Sequence, residues 1–280
     1  MINSYLSSIL GLGAALAWGG SDFSGGLSAK RTSVWWVVLL SQAVGLLFLI
    51  FLTILYDKSL PLLRDLLLGA LAGFIGEFGL IMLYQGLATG RMGVVAPLSA
   101  ILSALLPACV GMFIAGMPIP TQLAGISLAL PAVWLVSTGS EHGRANTSEL
   151  LLGLGAGLAF GVYFILIAQF SSRAIYWPLA AARLTSLIVM LLLVMTFKPI
   201  PRPALRNLPL ITMAGILDST GNIFFALATR TGRLDVAAVL SSLYPAVTIL
   251  LAYFLLKERL VLKQWVGVGL ALTAIFLITI

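Results

Sequence analysis

Four charged side chains lie inside long apolar stretches of this sequence: Asp22, Glu77, Arg183 and Asp218. An ionised group in a hydrocarbon environment costs several kcal/mol unless it is paired or hydrated, so such residues commonly serve a function. The carboxylates predict one of two roles, which are binding the ammonium group of a small molecule and taking up and releasing a proton. Arg183 is suited to holding a substrate carboxylate or to neutralising one of the acids.

A structural role is the alternative reading for each charge. Glu77 or Asp218 paired with Arg183 would simply join helices, because a buried acid and a buried base neutralise each other. Asp22 lies nearer one end of its apolar stretch, where two nearby serines would keep it hydrated. We expect Glu77 and Asp218 to be the main candidates for proton coupling and substrate binding, with Asp22 ranked behind them.

Polar and aromatic residues accompany these charges at helical spacing. Asn222 follows Asp218 by one turn, and Trp18 precedes Asp22 by one turn, so each pair shares a helix face. An apolar chamber with a few convergent polar groups is typical of small-molecule sites, although packing and interfacial anchoring are the alternatives for the aromatic members. The predicted substrate-binding residues are Trp18, Asp22, Glu77, Tyr84, Tyr163, Arg183, Asp218 and Asn222.

Catalytic and metal chemistry find no support in the residue inventory. The chain holds one histidine, His142, and one cysteine, Cys109, so neither a metal-ligand cluster nor a nucleophile–histidine–acid set is expected. The net charge of +7 does not predict nucleic-acid binding, because the basic residues cluster beside apolar segments, where they contact lipid headgroups. We therefore expect neither an enzyme nor a bound cofactor.

Composition places these residues in a membrane. Of the 280 residues, 60% are hydrophobic and 9% are charged, whereas a soluble domain carries about 25% charged residues. Apolar runs of about 20 residues cross a bilayer as helices. The predicted spans are 5–28, 32–56, 62–88, 92–115, 119–138, 150–171, 176–197, 207–229, 234–256 and 261–280.

An internal repeat organises these ten spans. At an offset of 142 residues, "LGAALAWG" (12–19) aligns with "LGAGLAFG" (154–161), and "TGRMGVVAPLS" (89–99) aligns with "TGRLDVAAVLS" (231–241). We predict a first five-helix repeat at 1–139, a linker at 140–149 and a second repeat at 150–280. Because five is odd, the second copy enters the membrane from the opposite side, as in the inverted repeats of secondary transporters.

The offset relates the two central acids. Asp218 aligns with Gly76, and Glu77 aligns with Ser219, so the carboxylates lie one position apart in equivalent third helices. Substrate sites of inverted-repeat transporters lie near mid-membrane between the copies. We therefore expect both carboxylates to approach one central cavity.

These features resemble a known family. The "AWG" of the first span, the "GRMGVVAPLS" that opens the fourth and the closing "LSSLYPAVTILLAYFLLKERLVLKQWVGVGLAL" are similar to the EamA group of the drug/metabolite transporter superfamily. The resemblance implies an all-α fold of ten transmembrane helices around a central cavity. It also implies transport, often export, of amino acids or other small organic metabolites. The first repeat departs from the pattern, since it has Gly116-Met117-Pro118 where the family motif has Gly-Glu-Arg.

The sequence thus predicts an alternating-access secondary transporter in the cell (inner) membrane. Its expected partners are a small-molecule substrate and membrane lipids, with no nucleic acid, and the chain acts as a monomer or homodimer. Export of amino acids, with proton antiport as the energy source, is the first hypothesis. Import of a small cationic amine such as choline, and a non-transporting scaffold or lipid-handling protein, are the alternatives. Substrate identity and membrane orientation stay open.

Overall fold

The computed structural model describes residues 2–56, 61–89, 92–137, 147–196, 204–257 and 260–279, and within these ranges the regular elements are helices. A single turn of 3-10 helix, Leu205–Asn207, precedes the eighth α-helix. The α-helices are α1 (Ile2–Ala29), α2 (Val34–Tyr56), α3 (Leu63–Thr89), α4 (Met92–Ala115), α5 (Pro120–Ser137), α6 (Thr147–Ser171), α7 (Tyr176–Thr196), α8 (Leu208–Thr231), α9 (Leu234–Ser241), α10 (Tyr244–Leu256) and α11 (Leu262–Thr279).

The outer surface of the helices is apolar, as expected for contact with lipid. Phe113 is 92% exposed and Met195 is 80% exposed, and many leucines and phenylalanines share that surface. Eight segments of the described chain are long and apolar enough to cross a membrane, with α9 and α10 counted together as one. Helix α5 is apolar but shorter, and α1, rich in glycine and serine, is not among the eight. The prediction of a multi-pass membrane protein is confirmed at this level.

The predicted span 234–256 is one apolar segment long enough to cross a membrane, and it contains a break between two helices. Helix α9 ends at Ser241 and α10 begins at Tyr244. Proline has no N–H to donate to the preceding turn, and Pro245 in the first turn of α10 therefore favours a new helix start over continuation. The break places the Tyr244 side chain at the centre of the molecule.

The last residues of the linker predicted at 140–149 are helical. Helix α6 begins at Thr147, so the last three linker positions are its first turn, where Glu149 is favourably placed near the positive end of the helix dipole. His142 lies outside the described residues, as do Glu258 and Arg259 of the closing motif.

Helices from the two halves of the chain pack against one another in a reciprocal pattern. Helix α1 packs on α8 while α6 packs on α3, and α4 packs on α6 while α9 and α10 pack on α1. Glycines at the helix crossings show the same reciprocal pattern. A Cβ atom on Gly125 would lie 2.6 Å from Ile278 Cγ1, and one on Gly267 would lie 2.5 Å from the Val136 nitrogen. Gly267 lies 142 positions after Gly125, and Ile278 lies 142 positions after Val136, so the two contacts are equivalent under the repeat offset.

An ion pair joins the two halves at the end of the molecule that carries the start of α3. Arg173, between α6 and α7, donates from Nε to Asp65 Oδ1 over 3.0 Å, and Asp65 is 1% exposed. These hydrogen bonds raise the pKa of the Arg173 guanidinium above its ordinary value, so this cation stays charged at any physiological pH. Nearby, Arg233 pairs with Asp235 and donates to the carbonyl of Gly116, which ties α9 to the end of α4.

Candidate functional site

A cavity lies between the halves, at mid-height of the helices. Its volume is about 80 Å³, and helices from both halves contribute to its wall. Because a buried water molecule needs about 10–15 Å³ of this kind of volume, the cavity holds about five to eight water molecules. The lining residues are Trp18, Asp22, Gln42, Gly76, Leu80, Leu83, Ser103, Phe160, Tyr163, Phe164, Arg183, Ser186, Asp218, Asn222 and Tyr244.

Positions related by the offset of 142 meet in this cavity. Trp18 and Phe160 both line it, and so do Asp22 and Phe164, Gly76 and Asp218, and Leu80 and Asn222. The first pair is aromatic in both copies, whereas the other three pairs differ in polarity, and the carboxylates of Asp22 and Asp218 come from α1 and α8. The repeat therefore supplies a common framework, while the substitutions between the copies decide which walls are polar.

A chain of side-chain hydrogen bonds runs along one wall of the cavity. The Arg183 guanidinium donates through Nη2 to Asp218 Oδ2, forming an ion pair, and through Nη1 to Gln42 Oε1. Gln42 in turn donates from Nε2 to Glu77 Oε2 over 2.6 Å. The Arg183 side chain is 7% exposed and that of Asp218 is 32% exposed. Each buried charge in this chain thus has a polar partner, which lowers the cost of holding it inside the membrane.

Glu77 does not line the cavity, contrary to the expectation that both central acids approach it directly. It is 1% exposed and touches the cavity wall through Gln42. Successive helical residues point about 100° apart. Because Glu77 is one position beyond the equivalent of Asp218, Gly76 faces the cavity and Glu77 turns toward α2 and α7. Its second oxygen, Oε1, has no hydrogen-bond partner among the described residues.

Tyr84 is also absent from the cavity wall. It lies two turns beyond Glu77 on the same face of α3, is 6% exposed, and packs its hydroxyl against Gly25 of α1. A Cβ atom on Gly25 would lie 2.7 Å from the Tyr84 oxygen. The helical register that turns Glu77 away from the cavity turns Tyr84 away with it.

Asp22 lines the cavity as a carboxylate without a partner. Within the described residues it accepts no hydrogen bond and pairs with no base. The serines expected to hydrate it are engaged elsewhere, since Ser21 donates to the Ala214 carbonyl and Ser24 donates to the Gly20 carbonyl. Asp22 therefore presents an unneutralised acid to the cavity, whereas Asp218 is already bound to Arg183.

Aromatic rings form the wall around Asp22. Trp18 stacks on Phe164 with ring centroids 5.0 Å apart, and Phe225 packs behind both rings. Tyr163 lies beside Phe164, with centroids 5.8 Å apart. Of the eight residues predicted for the site, the structure brings together six around the cavity: Trp18, Asp22, Tyr163, Arg183, Asp218 and Asn222.

Sequence reasoning missed several lining residues, of which Gln42 is the most informative. It is 3% exposed and lies within "VVLLSQAVGLL", where a glutamine in an otherwise apolar run is costly unless it is hydrogen-bonded. That signal was available in the sequence. Tyr244 and Ser103 were not accessible in this way, because their place in the wall depends on the break before α10 and on how α4 crosses α6.

Metal binding has no support in the described part of the chain. No group of three or more His, Cys, Asp and Glu side chains there is placed to hold an ion. The cavity wall combines acids with a base and aromatic rings, and such a mixture is typical of sites for small organic ligands.

Comparison with known proteins agrees with this architecture. The model of the EamA-like transporter family matches residues 147–280, which covers α6 to α11. The second half of this chain is therefore similar to the EamA-like transporter family. The EamA family is part of the drug/metabolite transporter superfamily, so the resemblance seen in the sequence is confirmed.

Two further similarities concern a curated relative and a solved structure. An uncharacterised protein of Methanocaldococcus jannaschii is 26% identical over 135 residues, which are 48% of this chain and 97% of that protein. That relative is accordingly about one repeat long. A solved crystal structure superposes with a TM-score of 0.79 at 18% identity, over 97% of this chain and 95% of the other, which shows a shared fold.

Proposed function

We propose that this protein is a secondary transporter that moves a small organic metabolite by alternating access through the central cavity. The observation that carries the proposal is the cavity itself, which lies between the two halves and holds membrane-buried charges. The reciprocal helix contacts support two five-helix repeats in inverted orientation, with α9 and α10 together as one span. A site between such repeats is reached from either side when one repeat rocks against the other.

The cavity lining supports a substrate that carries an ammonium group. Asp22 offers a carboxylate without a partner among the described residues, and Trp18, one turn before it in α1, contributes an aromatic ring to the same wall. Both features attract an organic cation, the first by charge and the second through cation–π interaction. Amino acids and similar small amino compounds have the required group, and the small volume of the cavity favours compact members of this class.

Proton antiport is the energy source that the charges support. A wall with more acids than bases binds either protons or an organic cation, and competition between the two couples their movements in opposite directions. Asp218 lines the cavity. Glu77 lies behind the cavity wall, and its Oε1 has no hydrogen-bond partner among the described residues. With protons moving inward across the cell membrane, this exchange would export the substrate. We take the cell (inner) membrane as the location, lipids as the surrounding partner and a monomer or homodimer as the working unit.

Transport in proteoliposomes tests this proposal. Purified protein should mediate exchange of a labelled amino compound, and an imposed pH gradient should drive its accumulation. Glu77→Gln and Asp218→Asn should each reduce the gradient-driven flux at least tenfold, because Asp218 is an acid of the cavity wall and Glu77 is joined to it through Gln42 and Arg183. Glu149→Gln, in the first turn of α6 and outside the cavity wall, is the control and should retain the flux.

Two results would contradict the proposal. Undiminished, pH-independent flux in both variants would remove the carboxylates from the mechanism. Absence of any flux across a broad panel of metabolites would favour the non-transporting alternative. Flux of a choline-like amine down an inward gradient, without proton movement, would replace export by import.

A further inference from the structure

The charges that line the cavity do not balance. Together with Glu77 one layer behind, the wall holds three acids and one base, so its formal charge is two negative units. If Glu77 carries a proton, one negative unit remains. In either case the wall lacks positive charge, and Asp22 is the acid of this set that has no hydrogen-bond or ion-pair partner among the described residues.

The single base of the described cavity wall is already occupied. Arg183 uses both terminal nitrogens on protein acceptors, Nη2 on Asp218 and Nη1 on Gln42. A substrate carboxylate at this guanidinium would lie beside the Asp218 carboxylate that already neutralises it, and displacing Asp218 would leave that acid unpaired in a space of about 80 Å³. Leaving a desolvated charge unpaired is among the costliest changes at a buried site.

Asp22 has surroundings suited to a cation with an apolar body. The rings of Trp18 and Phe164, which stack on each other, line the same cavity as Asp22, and so do Leu80 and Leu83. Tyr244, at the helix break, completes the wall. A single ammonium group on Asp22 and a short hydrocarbon chain against these side chains would satisfy each part of the wall.

From this imbalance we propose that the cavity selects small organic monocations, namely primary amines without a carboxylate, over the zwitterionic amino acids of the same shape. The inference rests on the proposed transport function and narrows its substrate class. Asp22 is the residue that binds the ammonium group, and the Arg183–Asp218 ion pair excludes carboxylates by keeping the guanidinium occupied.

Three size-matched ligands test the inference on the full-length protein in nanodiscs. They are 3-methylbutylamine, leucine and 4-methylpentanoate, which share a branched chain and differ in carrying an ammonium group, both groups or a carboxylate. Titration calorimetry should show that the amine binds at least tenfold more tightly than leucine, and that 4-methylpentanoate binds more weakly than either.

Substitutions at Asp22 separate its role from an effect on folding. Asp22→Asn should weaken binding of the amine at least tenfold, Asp22→Glu should restore most of it, and the Glu149→Gln control should bind as the parent does. An unchanged affinity in Asp22→Asn, in a variant whose thermal unfolding matches the parent, would overturn the assignment.

The outcomes distinguish this inference from the proposed function. Leucine binding as tightly as the amine, together with pH-driven leucine flux in proteoliposomes, would overturn the amine preference and leave the transporter proposal standing. Absence of binding by all three ligands overturns the inference, and absence of metabolite flux as well overturns both.

Discussion

The side chains of the cavity wall differ in how far they depend on one another. Gln42 accepts a hydrogen bond from Arg183 and donates one to Glu77, so it joins the Arg183–Asp218 ion pair to Glu77. Asp22 stands apart, because it lines the cavity and pairs with no base in the part of the chain that the structure describes. Changes at Gln42 or Arg183 should therefore affect folding as well as transport, whereas changes at Asp22 should act mainly on ligand binding.

Removing Arg183 should destabilise the protein strongly. Arg183→Ala leaves Asp218 without its cation and Gln42 Oε1 without its donor. Breaking a buried pair costs about 3–5 kcal/mol, and the lower end applies because the Asp218 side chain is 32% exposed. The apparent Tm in detergent should fall, and the double variant Arg183→Met with Asp218→Leu should recover part of the loss. A double variant less stable than Arg183→Ala would contradict the pairing.

Disconnecting Glu77 should also cost stability. Gln42→Leu removes the donor to Glu77 Oε2 and leaves a carboxyl group that is 1% exposed with no hydrogen bond from its neighbour. An unsatisfied buried group costs about 1–3 kcal/mol, and more if it is charged. Thermal unfolding should report the loss. Ser41→Ala, adjacent in α2 and bonded only within its own helix at Val38, is the control and should unfold near the parent temperature.

At the scale of helices, close crossings keep the cavity walls in register. Helix α3 approaches α7 so closely that a Cβ atom on Gly73 would lie 2.0 Å from the Ala182 carbonyl oxygen. The same crossing places Ser186 against the Gly73 carbonyl, which it reaches with a hydrogen bond of 2.9 Å. Arg183 and Ser186 thus depend for their positions on the absence of a side chain at one glycine.

Gly73→Ala should therefore push α3 away from α7. The new methyl group meets backbone rather than a movable side chain, and overpacking of this kind costs about 1–3 kcal/mol or more. We expect a lower Tm together with weaker amine binding, since the wall that holds Arg183 shifts. Gly26→Ala makes the same substitution where nothing lies within 4 Å, and it should leave both measurements unchanged. Equal effects of the two substitutions would contradict the crossing.

At the scale of the whole molecule, the sequence repeat predicts an approximate two-fold relation between the halves, and their helix contacts are reciprocal. If each half crosses the membrane five times, equivalent positions in the two copies face opposite sides. Leu6 at the start of α1 and Ser148 at the start of α6 are such a pair, and both side chains are exposed.

Cysteine labelling tests this inversion directly. In a Cys109→Ser background, a membrane-impermeant maleimide applied to sealed vesicles of one orientation should label Leu6→Cys or Ser148→Cys, but not both. Detergent should make both sites reactive, which controls for exposure. Labelling of the two cysteines from the same side would rule out inverted repeats and leave the helix contacts without a topological explanation.

The sequence by itself determined the class of protein, the helix positions and the repeat. Long apolar runs demand helices in lipid, because backbone hydrogen bonds must be closed within each segment, and a fixed offset of 142 survives in residues such as Gln and Gly. Most of the helix ends fall within a few residues of the predicted ends, and short motifs predicted the similarity to the EamA-like transporter family that residues 147–280 show.

Only the tertiary structure decided which of the buried charges face the cavity and which are satisfied by protein. Glu77 and Asp218 are almost equivalent in the repeat, yet a single position of helical register turns one toward Gln42 and the other into the cavity. The Arg183–Asp218 pair and the free carboxylate of Asp22 follow from contacts between α7, α8 and α1. Such contacts join residues far apart in the chain, and local patterns of hydrophobicity carry no information about which distant polar atoms meet.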